Sequence, residues 1–164
     1  MSIAESMIQE LVGESATTQK LLERIPDDRL TWQPHEKSMS MSRLATHVAE
    51  IPSWVPLIVG SNELDLAKRE PRPRELGSRK EILDIFHAQV EDTKKALAGK
   101  SDQELMLSWK LKMGDHVIFE LPRAIALRSM VMNHLIHHRG QLSVYLRLNN
   151  IPVPGAYGPS ADEA

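Results

Sequence analysis

"PRAIALRSMVMNHLIHHRGQLSVYLRLNN", residues 122–150, reads as one long helix, and the rest of the chain is understood from it. Pro122 suits the first position of a helix, and no later proline interrupts a run of about 28 residues, or about 40 Å of helix. At 100° per residue, Leu127, Met130, Val131, His134, His138, Gln141, Leu142, Tyr145 and Leu148 share one arc of about 120°. His134 and His138 lie near its centre. Their separation of four stacks them one turn apart on a single face, the spacing at which two imidazoles can hold one metal ion. His137 points to the flank. A buried imidazole brings a ring donor and a ring acceptor that need partners, so this apolar arc poses a chemical question.

The second helix answers part of it. In "MSRLATHVAEIPSWVPLIVG", residues 41–60, a helical stripe of Leu44, Val48, Ile51, Trp54, Val55 and Ile58 also carries His47. Arg43, Thr46, Glu50 and Ser53 fall outside that stripe. Pro52 and Pro56 each remove a backbone donor, which predicts a bend after the turn bearing His47 and an end at Gly60.

The remaining elements follow from similar patterns. Apolar spacing from Ile3 to Ile25 gives a first helix stopped by Pro26, and a connector with Trp32 tucked inward leads to a cap at Ser38 or Ser40. After Gly60 comes a long charged connection, "ELDLAKREPRPRELGSRKE", with Lys68, Arg69, Arg72, Arg74, Arg79 and Lys80. A solvated crossover is its plain reading, and an anion-binding loop is the alternative. Ser78 and Glu81 form a capping-box pattern that opens a third helix closed by Gly99. "SDQEL" reads as a short turn. "LSWKLKMGDHVIFELP" then alternates about Gly114 and Asp115, as a β-hairpin does. The expectation is an all-α single domain over residues 1–164: a four-helix bundle with long crossovers and a small hairpin before the last helix.

Composition narrows the chemistry. The 164 residues carry a net charge of -2, so nucleic acid and anionic membranes are not expected partners. With no cysteine, the chain has no disulfide, thiolate ligand or thiol nucleophile of its own. The opening "MSIAESMIQE" has no apolar core of a signal peptide, and no segment is long enough to span a bilayer, so a cytoplasmic location is expected.

A histidine in an apolar stripe is commonly a core residue bonded to a carbonyl or carboxylate, and His134 with His138 alone would be weak evidence for a metal. His47 on a facing helix shifts the balance, because the stripes offer few carboxylate partners and one cation would occupy a nitrogen of each ring. Three neutral ligands leave an open coordination position, as catalytic zinc sites do. "HLIHH" lacks the glutamate of a zinc-protease helix, which argues against a peptidase. His35, His87 and His116 read as solvated.

Three segments, "SMSRLATHVAEIPSW", "NHLIHHRGQLSVYLR" and "VPGAYGPSADE", resemble the second-helix, fourth-helix and C-terminal signatures of the DinB/YfiT-like metalloenzyme family. The resemblance implies a four-helix bundle, a homodimer, and three histidines holding a divalent metal: His47, His134 and His138. It casts Arg139, Gly140 and Gln141 as scaffold, with Gln141 able to touch the pocket. It also implies a low-molecular-weight thiol, such as bacillithiol or mycothiol, as cosubstrate with a second small-molecule substrate.

Three functions are compatible with these residues. The first is a transferase in which the ion activates a small thiol, with zinc or nickel expected and iron or manganese as alternatives. The second is a metal-dependent hydrolase, which requires a base such as Glu50, Asp115 or Glu120 near a bound water. The third is a non-enzymatic, stress-associated metal-binding bundle, for which a fourth protein ligand would close the site. The hydrophobic residues Ile125, Met132 and Ile136 lie opposite the histidine arc and suggest a second apolar face, covered by the crossover or by another subunit.

Overall fold

The computed structural model describes residues 1–69 and 75–163. Its elements run α1 (Ile3–Leu22), α2 (Met41–Glu50), α3 (Trp54–Gly60), β1 (Glu63–Asp65), α4 (Arg79–Leu97), α5 (Asp102–Leu105), β2 (Ser108–Met113), β3 (His116–Pro122), α6 (Arg123–Leu127) and α7 (His134–Leu148). Four long helical runs pack together: α1, the bent pair α2–α3, α4, and the α6–α7 rod. No helix among the described residues is long and apolar enough to cross a membrane.

Local chemistry sets the boundaries. Ser2 and Glu5 make a reciprocal capping box at the start of α1, and Ser40 accepts from the Arg43 N–H at the start of α2. Ser78 caps α4, but the Glu81 carboxylate reaches back to the N–H of Gly77 at 3.0 Å instead of closing a box on Ser78. "SDQEL" is more than a turn: Ser101 and Glu104 form a full capping box that supports the single-turn helix α5.

The bend between α2 and α3 falls where the prolines require it. Ile51–Ser53 is 3₁₀-helical, and Pro56 cannot donate to the carbonyl of Pro52 four residues earlier. Thr93 of α4 supplies the missing donor, its hydroxyl 2.8 Å from that carbonyl. The break is thus satisfied by a neighbouring helix.

The hairpin is one part of a larger sheet. β2 and β3 pair antiparallel, with Trp109 opposite Leu121 and Met113 opposite His116, and β1 adds to β2 in parallel, with Glu63 beside Lys110. β1 corrects the reading of its residues as open connection. Three residues carry no useful alternation, and a parallel partner 47 positions away leaves no local trace. Asp65 fastens the strand to the hairpin by accepting from the N–H of Gly114 at 2.9 Å. Gly114 has φ +59°, the sign a two-residue type II′ turn requires at its first position. Gly114→Ala is therefore expected to lower stability by roughly 1–2 kcal/mol, the cost of a left-handed backbone bearing a Cβ; a thermal melt showing no shift would refute this.

The last helix is not uniform. Arg128–Asn133 is π-helical, and this wider turn sits immediately before His134. A wheel drawn at 100° per residue slips across it. Met132, placed opposite the histidines by that wheel, is 4 % exposed and lines a small apolar pocket with Met7, Leu11 and Val131. Ile136 is half-buried and Ile125 is exposed, so the second apolar face expected from the sequence is not continuous.

The described cations of the crossover have internal partners. Lys68 pairs with Asp65, Arg69 lies over the Trp54 ring, Arg79 donates to the carbonyl of Glu23, and Lys80 pairs with Asp84. Arg72 and Arg74 lie outside the described residues.

Candidate metal centre

α2 and α7 pack against each other and bring three half-buried imidazoles together. Ring centroids stand 4.9 Å apart for His47 and His134, and 4.6 Å apart for both His47 with His138 and His134 with His138. One nitrogen from each ring lies within 4.8 Å of the other two. His47 Nε2 and His134 Nε2 are 3.1 Å apart.

The opposite nitrogens are already engaged. Nδ1 of His134 is 3.3 Å from the carbonyl of Met130, and Nδ1 of His138 is 2.7 Å from Oε1 of Gln141. Both acceptors draw the ring proton to Nδ1, which leaves the Nε2 lone pairs free to point into the cluster. The 3.1 Å gap then has two fillings: a proton carried by His47 Nε2, or a cation shared by both rings. Two nitrogens at about 2.0–2.1 Å from a tetrahedral ion stand about 3.3 Å apart, so the residues present fit a divalent metal.

Electrostatics keep the three imidazoles neutral. Burial first, then the charges of His138, His134 and Arg43, push His47 down to about 4. Burial also lowers His134 and His138, partly offset by their bonds to Met130 and Gln141. Near neutral pH these rings therefore offer lone pairs, as metal ligands must.

Among the described residues, the cluster consists of these three histidines and includes no carboxylate and no fourth histidine. His137 is exposed beside His138, with centroids 4.8 Å apart, and is not part of it. His35, His87 and His116 are exposed elsewhere on the chain, and His87 bonds Gln19 across α1 and α4. Glu120 is taken by Ser108 and Lys110, while Asp115 is exposed on the hairpin turn. Gln141 acts on the site through His138, as its inward position on the helical wheel suggested, although much of it remains exposed. The Met130 carbonyl was not legible beforehand: every residue has a carbonyl, and only the fold selects this one.

Because Gln141 bonds His138 without filling core space, Gln141→Leu is expected, if the cluster holds a metal, to weaken its affinity by about 10–100-fold, the usual cost of losing an outer-shell partner. Competition with a chromophoric chelator would measure this, and an unchanged affinity would show that the bond does not orient His138.

A family model described as the DinB family matches residues 1–164. The chain is 27% identical over 160 residues to the uncharacterized protein YrdA of Bacillus subtilis (strain 168), covering 92% of this chain and 85% of that protein. A DinB-like protein from Bacillus cereus ATCC 10987 has a solved structure that superposes with a TM-score of 0.70 at 26% identity, over 93% of this chain and 97% of the other. The DinB-like protein YjoA from Bacillus subtilis superposes with a TM-score of 0.68 over 96% and 98% of the two chains; at 19% identity it supports the fold alone.

Proposed function

The chain belongs to the DinB family, and from that premise we propose that it is a divalent-metal-dependent transferase using a low-molecular-weight thiol, with His47, His134 and His138 as the metal ligands. The observation that carries this reading is the convergence of three neutral imidazoles without a fourth ligand or a carboxylate among the described residues. Zinc or nickel suits such a nitrogen set. When bound, the ion would supply the positive charge that favours the thiolate form of a small thiol at neutral pH.

The chain's own part is positional. Met130 and Gln141 fix the tautomers of two ligands, and the rings themselves are half-buried, not sealed in the core. The sulfur has to come from a cosubstrate, because the chain has no cysteine. Hydrolysis is less well supported: no carboxylate among the described residues joins the cluster, and Glu120 is engaged on the sheet. A closed structural site would need the fourth ligand that the described residues do not supply. A homodimer in the cytoplasm completes the proposal, with sedimentation equilibrium as the check on assembly.

Purified protein screened with several thiols against a generic electrophile, with and without Zn²⁺ or Ni²⁺, tests the activity. Metal-dependent consumption of thiol is the expected result. No metal-dependent rate with any thiol would count against transfer and favour hydrolysis or simple metal storage.

A further inference from the structure

A divalent ion bound at the cluster would carry unbalanced charge. Three neutral imidazoles cancel none of a dication's charge, and no carboxylate joins them among the described residues. Arg43 increases the imbalance. It lies four residues before His47 on α2, so their side chains are neighbours along one helix edge. The other positions explain which edge this is. Ser42 and Thr46 bond Leu76 on one flank, and Leu44, Ala45, Val48 and Ala49 are buried in the core. Arg43 remains on the exposed side next to His47, and no ion pair between described residues includes it. Glu50, one turn beyond His47, has a partner of its own. A planar guanidinium with free donors beside a cationic centre suits a carboxylate held by two parallel bonds.

Resting on the thiol-transfer reading, we propose that Arg43 is a specificity-determining residue that holds the carboxylate of an anionic thiol at the mouth of the three-histidine centre. The favoured cosubstrate is then a small thiol that also carries a carboxylate, and a neutral thiol of equal length binds less well.

Calorimetry on the zinc-loaded protein with 3-mercaptopropionate and 3-mercapto-1-propanol tests this without measuring turnover. Arg43→Gln is expected to lose about tenfold in affinity for the carboxylate thiol and none for the alcohol, with zinc content unchanged. Arg43→Lys should recover part of the loss, because it restores charge but not the two-pronged geometry. The preference should also weaken as salt is raised. An identical carboxylate preference in the wild type and Arg43→Gln would overturn the role of Arg43 while leaving thiol binding intact. Failure of both thiols to bind the loaded wild type would overturn the thiol reading and this inference together.

Discussion

After loading with zinc and exhaustive dialysis, His134→Ala and His138→Ala are each expected to lose their ion in elemental analysis, as is His47→Ala, whereas His137→Ala keeps it. Each of the first three removes one of the three nitrogens that converge among the described residues, and His137 lies outside the cluster although its ring is 4.8 Å from that of His138. Loss of an outer partner alone costs about 10–100-fold in affinity, so loss of a ligand should exceed about 100-fold. The fold should survive. All three rings are half-buried at the edge of the helix packing, not within the fully buried core, and circular dichroism would verify that the helices remain. Equal metal content in all four variants would contradict the assignment.

The largest effect on stability is expected at Arg139. Its side chain is 3% exposed and meets the Glu14 carboxylate at 2.5 Å, the Glu14 carbonyl at 3.1 Å and the Tyr157 hydroxyl at 2.6 Å. The Tyr157 hydroxyl in turn donates to Glu14, and the guanidinium sits 5.2 Å from the Tyr157 ring centre. One buried cation therefore joins α1, α7 and the C-terminal segment. Arg139→Ala strands a carboxylate that is itself only 14% exposed, which should cost about 3–5 kcal/mol in urea unfolding. Arg147→Ala is the contrast. Arg147 pairs with Asp162 through side chains 50% and 28% exposed, where water and salt screen the charges, and its loss should cost less than about 1 kcal/mol. Similar losses for the two variants would refute the distinction.

Arg139 also shows how far a linear reading can go. The resemblance marked it as scaffold, and its place beside His138 was evident, but nothing local indicates that its partners are Glu14 and Tyr157, 125 and 18 residues away. Met132 shows the opposite limit. The helical wheel sets it opposite the histidines on a second apolar face, and only the fold shows that Met7 and Leu11 of α1 pack there, in place of the crossover or another subunit.

Residue patterns along the chain are enough for the four helical runs, the proline break after His47, the hairpin about Gly114 and the two inward stripes that carry His47, His134 and His138. Those features depend on periodicity, backbone donors and φ preferences, which are properties of neighbouring residues. Folding in three dimensions is what pairs β1 with β2, lets Thr93 satisfy the carbonyl freed by Pro56, sets Met130 and Gln141 to aim two of the rings, and brings His47 Nε2 to 3.1 Å from His134 Nε2. Such contacts join atoms far apart in the chain or select one backbone group among many alike, and packing alone fixes which of them meet.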